Sequence, residues 1–239
     1  MGKAAVTAIS EHPNLTLVAA TDRGDNLSLA MAHHKPEVVV DFTIASCGLA
    51  NALEIVAAGV HPVIGTSGFQ ESEVEIVRKA ALSRATSLNR DVVGGIIVPN
   101  FALGAVLLMK ALGSFAKYYE RAEIIELHHD QKEDAPSGTA LRSAEVINSV
   151  SFDGVTRRRN PERELVEKVR GGNLGRVTLH SVRLPGYMAS QEVIFGSLGE
   201  RVSLRHDSIS VESFMPGVCL SCERVVHLKE IFFGLEELL

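Results

Sequence analysis

Residues 126–140 read E-L-H-H-D-Q-K-E-D-A-P-S-G-T-A, and this run constrains the chain more than any other. Before it, Glu123-Ile124-Ile125-Glu126 carries the apolar pair of a strand. After it, residues 139–147 place Ala140, Ala144 and Ile147 at helical spacing. A strand therefore ends, a polar loop follows and a helix begins. His128 and His129 can carry or relay a proton near neutral pH. Lys132 offers a fixed positive charge or a transferable proton. The helix start presents unpaired backbone N–H groups and the positive end of a dipole, which suit a carboxylate or phosphate. Ser137 and Thr139 add hydroxyls. The run predicts an anionic-substrate site with an acid/base group beside it. The plainer reading is a surface loop leading into a capped helix, with Asp134 or Ser137 as N-cap and Pro136 near N1.

The segments before this run alternate between strand and helix. Residues 1–10 have a helical pattern that Pro13-Asn14 ends. Residues 15–20, L-T-L-V-A-A, read as a buried strand ending at Asp22-Arg23. An acid at such a strand end can hold a ribose hydroxyl pair, and an adjacent arginine a 2′-phosphate. Residues 24–35 are polar and unpatterned. Residues 38–43 form a strand, 47–58 a helix, 62–64 a strand and 71–83 a helix. The loop Gly65-Thr66-Ser67-Gly68-Phe69 lets backbone approach a ligand at its glycines. It lacks the G-x-S-x-G spacing of a hydrolase nucleophile elbow. Residues 95–101 are a strand and turn, and a helix starts at Ala102. After residue 150 come a charged irregular stretch to 173 and strands at 176–184, 192–195 and 201–205. Phe214-Met215-Pro216-Gly217 then leads into closing helices.

Composition narrows the class. The chain has 239 residues, 46% hydrophobic and 22% charged, with net charge −5, as in an ordinary globular protein. Arg157-Arg158-Arg159 is too short a basic run for a nucleic-acid surface. No apolar run reaches the roughly 18 residues of a membrane span. The start shows no signal peptide and no myristoylation pattern. Cys47, Cys219 and Cys222 fit a reducing compartment. Cys219 and Cys222 form a C-x-x-C without a second pair, read as packing residues in a closing helix rather than zinc ligands or a redox pair.

The run at 126–140 resembles the signature of the 4-hydroxy-tetrahydrodipicolinate reductase (dihydrodipicolinate reductase) family, E-x-H-H-x-x-K-x-D-A-P-S-G-T-A, at every specified position. Further likenesses are Gly65-Thr66-Ser67-Gly68-Phe69 to G-T-T-G-F and Pro99-Asn100-Phe101 to A-P-N-F. His180-Ser181-Val182-Arg183-Leu184-Pro185-Gly186 matches H-S-V-R-L-P-G. The departures are Val98 for a small residue, Ala102 for serine, Gln191 for histidine and Val211 for an arginine. Met1-Gly2 match only the end of the family's G-x-x-G-x-M-G turn, and no G-x-G-x-x-G appears elsewhere.

The resemblance implies an α/β fold in two parts. One is a Rossmann-like parallel-sheet nucleotide domain, N-terminally truncated, at 1–101 and 212–239. The other is an α+β substrate and oligomerisation domain with an open mixed sheet, at 102–211. It implies hydride transfer from NADPH or NADH to a small dicarboxylate in lysine and diaminopimelate biosynthesis. His128 is then the catalytic acid/base and Lys132 the proton donor. His129, Gly138, Thr139 and Ser67 bind substrate. Asp22, Arg23, Gly65, Thr66, Ser67, Val98, Pro99, Asn100 and Phe101 line the cofactor site. No metal, nucleic acid or membrane is expected, and the protein is expected to be a cytoplasmic homotetramer. Two alternatives stand beside this. One is a truncated or non-catalytic relative with impaired cofactor binding. The other is a metal-dependent hydrolase resting on His128, His129 and Asp134.

Overall fold

The computed structural model describes residues 1–66, 68–89, 91–155 and 163–239. The expectations for Ser67 and for Arg157-Arg158-Arg159 lie outside the described residues. The chain divides into two compact units, Met1–Leu103 with Val211–Leu239, and Gly104–Ser210.

The first unit is built on a parallel sheet. Its strands are β1 (Val38–Asp41), β2 (His61–Ile64), β3 (Gly95–Ile97) and β9 (Ile231–Phe233), in that spatial order. Helices α3 (Ala45–Ala58) and α4 (Glu71–Leu88) connect the first three. Parallel strands need such crossovers, and the helices cover the sheet so that its strands can be apolar throughout. Val63, Ile64, Ile96 and Ile97 are accordingly buried. Ile55, Val56, Val74 and Val77 of the helices pack in the same core. Helix α4 starts where the Glu73 carboxylate accepts the Gln70 N–H at 2.8 Å.

Three expectations fail here. Residues 15–20 keep the alternation of a strand, with Leu15, Leu17 and Ala19 half-buried, but belong to neither sheet. A strand exists only in a ladder, and among the described residues none runs beside them. The polar segment after them holds a helix, α2 (Leu27–His34), started by the Asn26 side chain accepting the Leu29 N–H at 2.9 Å. Lys35 ends it in the left-handed conformation, φ 49°. Near the end, α7 (Met215–Val225) is followed by β9 and a 3-10 turn, Leu235–Leu238, instead of further α-helix. Cys219 and Cys222 are free and buried in α7, and burial pushes the Cys222 thiol up to about 12.

The second unit is a five-stranded mixed sheet against α5 (Leu103–Ala116) and α6 (Gly138–Ser149). Its strands are β4 (Ala122–His128), β5 (Gly172–Leu174), β6 (Val177–Arg183), β7 (Ala189–Ser197) and β8 (Glu200–Ser208). The spatial order is β5-β6-β4-β7-β8, with β4 and β6 parallel and the other pairs antiparallel. β5 was unforeseen, lying in the stretch read as irregular. Ala122 pairs with Val177 and Phe195, and Ile124 with Leu179 and Val193, forming one apolar face. Leu112, Ala144 and Ile147 of the helices close over it. Arg176 fastens both helix ends, donating to the carbonyls of Ala116, Tyr119, Ile147 and Val150 at 2.5–3.1 Å.

Candidate active site

The same face of β4 turns polar toward its carboxyl end. Glu126 and His128 follow Ala122 and Ile124 at period two and therefore point to the α6 side. Glu126 lies between Ser181 of β6 and Gln191 of β7, and His128 between Arg183 and Ala189. Glu126 is fully buried. Its carboxylate lies 2.5 Å from His128 Nδ1. It also accepts two bonds from Arg183, at 2.8 and 3.0 Å. Burial by itself pushes this carboxyl up, but hydrogen bonds from His128, Arg183 and Ser181 outweigh it and hold the group down at about 2. Glu126 is thus an ionised carboxylate at neutral pH.

Arg183 reaches further, donating to the Asp134 carbonyl at 2.8 Å. The Asp134 side chain in turn accepts from Lys132 Nζ at 2.6 Å. That bond holds the Asp134 carboxyl below its ordinary range. One connected set therefore runs from His128 through Glu126, Arg183 and Asp134 to Lys132. Two buried atoms beside it have no protein partner among the described residues, Arg183 Nε and Gln191 Oε1. Gln191 uses its amide to donate to Ser143 of α6 at 2.8 Å.

The loop then enters α6 through Ser137, whose hydroxyl accepts the Ala140 N–H at 3.2 Å. Ser137 is the N-cap, and Pro136 before it is joined to Ala135 by a cis peptide bond. Gly138, the first helical residue, is exposed, and among the described residues nothing beyond its chain neighbours and its own helix backbone lies within 4 Å of the place a Cβ would take. His129 is exposed and Thr139 half-buried. The structure thus gathers His128, Lys132, Gly138 and Thr139 on one strand–loop–helix element. His128 ends the strand, whereas the sequence placed it in the loop.

In the first unit, parallel register puts the carboxyl ends of β1, β2 and β3 at one edge of the sheet. Gly65 donates to Asp41 at 2.8 Å and Val98 to Ile64 at 2.7 Å, so the loops after the strands start side by side there. Gly65 is forced by packing, since a Cβ would lie 2.3 Å from the Phe42 ring and 2.7 Å from Phe101. Those two rings meet edge to face, centroids 5.6 Å apart. Thr66, Val98 and Phe101 are buried, whereas Pro99 is exposed and Asn100 half-buried. Asn100 accepts the Ala102 N–H at 2.9 Å. Buried Asp41 organises the neighbouring turn by accepting from the Thr43 N–H at 2.6 Å and the Asn51 amide at 3.0 Å. Asp22 and Arg23 are exposed in a separate turn, where the Arg23 N–H donates to the Asp22 carboxylate at 2.7 Å.

An open parallel sheet binds ligands beyond the carboxyl ends of its strands. The exposed Asp22 carboxylate, an acceptor, and the Arg23 guanidinium, a donor, are groups that fit the ribose hydroxyls and a phosphate of a dinucleotide. Among the described residues no group of three or more His, Cys, Asp or Glu side chains is placed to hold a metal ion. No helix among them is long and apolar enough to cross a membrane.

A parallel-sheet unit with loops beyond its strand ends, and a mixed-sheet unit carrying histidine and lysine ahead of a helix start, define a two-unit α/β protein whose first unit is of the nucleotide-binding type. The comparisons with known proteins give the family. Family models described as "Dihydrodipicolinate reductase, N-terminus" and "Dihydrodipicolinate reductase, C-terminus" match residues 1–101 and 104–239. A protein from Legionella pneumophila (strain Corby) named 4-hydroxy-tetrahydrodipicolinate reductase is 41% identical over all of this chain and 95% of its own length. One of the same name from Syntrophomonas wolfei is 42% identical, covering all of this chain and 94% of its own length. The solved dipicolinate-bound dihydrodipicolinate reductase from Paenisporosarcina sp. TG-14 is 36% identical. It superposes with a TM-score of 0.86 over all of this chain and 95% of that one.

The chain belongs to the dihydrodipicolinate reductase family. Its members are NADH- or NADPH-dependent reductases of lysine and diaminopimelate biosynthesis, with the nucleotide bound by the N-terminal domain. The hydrolase alternative falls with this membership, and a non-catalytic relative is not favoured.

Proposed function

We propose that His128 is the catalytic acid/base and Lys132 the proton donor in reducing 4-hydroxy-tetrahydrodipicolinate to tetrahydrodipicolinate. The observation that carries this reading is the open start of α6 at Gly138, with the His128 strand end and the Lys132–Asp134 turn leading into it. A helix start with free space above its first residue suits a carboxylate, and a dicarboxylate brings two. Gly138 and Thr139 hold the substrate by N–H and hydroxyl donation, with His129 and Ser67 as further contacts. NADPH or NADH supplies the hydride from its nicotinamide C4.

The cofactor lies on the unit formed by Met1–Leu103 and Val211–Leu239, and the substrate on Gly104–Ser210. Asp22 and Arg23 take the adenosine ribose and its 2′-phosphate. Gly65, Thr66, Val98, Pro99, Asn100 and Phe101 form the nicotinamide end, the buried ones through their main chain. The protein works as a homotetramer in the cytoplasm. Free cysteines support a reducing compartment, and exposed Leu165, Val166 and Val169 offer apolar surface for assembly to cover.

Calorimetric titration of the folded protein with NADPH and then NADH tests the cofactor assignment. Micromolar binding of either, weakened by Arg23→Ala for NADPH alone, supports it. Absence of binding would overturn it.

A further inference from the structure

The proton-handling reading leaves two buried or part-buried hydrogen-bonded groups without a role, Glu126 and Arg183. A buried carboxylate is costly to keep ionised, and a sheet core would accept an apolar residue in its place. Ala122 and Ile124 occupy the equivalent positions earlier on the same face. What distinguishes Glu126 is its 2.5 Å approach to one particular imidazole nitrogen, Nδ1 of His128. A carboxylate only accepts, so Nδ1 must carry the proton. The other nitrogen, Nε2, is then the one left to exchange a proton with a ligand.

We propose that Glu126 and Arg183 are positioning residues for the reductase reaction: Glu126 fixes the tautomer and rotation of His128, and Arg183 locks Glu126 while tying it to the Lys132 turn. Arg183 is built for this. Its fork takes both carboxylate oxygens, which leaves Glu126 no freedom to rotate away from the imidazole. The same guanidinium bonds the carbonyl of Asp134, the residue whose side chain holds Lys132. One rigid cation thereby sets the spacing of both proton-handling groups. In a proton-transfer cycle Nε2 gains or gives the proton while Nδ1–H stays on the imidazole. Glu126 remains a carboxylate throughout, balancing the imidazolium when it forms.

This inference rests on the assignment of His128 as acid/base, so the test separates the two. Steady-state kinetics and proton NMR are measured on the full-length wild type and on His128→Ala, Glu126→Gln and Arg183→Lys. The wild type is expected to show a downfield Nδ1 proton that is absent from His128→Ala and from Glu126→Gln. Glu126→Gln is expected to lose about 100-fold in kcat with KM within about twofold, because only the oriented transition state loses stabilisation. Arg183→Lys keeps the charge but not the fork, and is expected to lose about 10-fold in kcat with the downfield proton broadened. This variant carries the test if Glu126→Gln does not fold. Wild-type kcat in either folded variant, or a downfield proton that survives Glu126→Gln, would overturn the positioning role. Full turnover by His128→Ala would instead overturn the assignment beneath it.

Discussion

Arg183 meets the fully buried carboxylate of Glu126 through two bonds, 2.8 and 3.0 Å long, across 57 residues of sequence. Such a pair is safer whole than halved. Arg183→Leu leaves a buried carboxylate without its cation and is expected to destabilise the protein by about 3–5 kcal/mol in urea unfolding. Adding Glu126→Leu to that variant removes the stranded charge and should recover much of the loss. A single variant as stable as wild type would show that water already reaches the carboxylate.

The same pair sets an acid limit. The Glu126 carboxyl lies at about 2, below its ordinary value of 4.5. A carboxyl lowered on folding gives stability that is fully present above the unfolded value and is lost as pH falls through the folded one. Unfolding free energy should therefore drop between about pH 4.5 and 2, by on the order of 3 kcal/mol from this group. Glu126→Gln should show a correspondingly shallower fall, measured by urea titration at each pH.

Lys132 and Asp134 make an ion pair at the surface, with the Asp134 side chain 65% exposed. Exposed pairs contribute little, so Lys132→Ala should change stability by less than about 1 kcal/mol. Its turnover should fall by about 100-fold or more if it donates the proton. Equal loss of folding and turnover would make the lysine structural.

Gly65 has no room for a side chain. Gly65→Ala pushes a methyl into the Phe42 and Phe101 rings and should cost about 1–3 kcal/mol, read as a lower Tm, with weaker NADPH binding as the loop shifts. An unchanged Tm would mean the two rings repack freely.

Much of this was legible beforehand because the site is local. The run at 126–140 carries strand, loop and helix start together, so its residues are placed by short-range rules. Period two alone, extended two residues past Glu126, would have put His128 on the strand and on the face of Glu126. Arg183 was not legible in this way, since its place opposite His128 depends on the register between β4 and β6, which are far apart in the chain. The same reason hid β9, three residues whose strand character comes from pairing with β3. Residues 15–20 fail in the opposite direction: their pattern is right, and among the described residues no strand pairs with them.

The most direct test of the account is NADPH oxidation with 4-hydroxy-tetrahydrodipicolinate, followed by nicotinamide absorbance, for wild type, His128→Ala and Lys132→Ala. Wild type should oxidise NADPH only when substrate is present. Both variants should bind NADPH as wild type does and turn over at least about 100-fold more slowly. Substrate-dependent oxidation at the wild-type rate by either variant would contradict its assigned role. No oxidation by the folded wild type would contradict the reductase account itself.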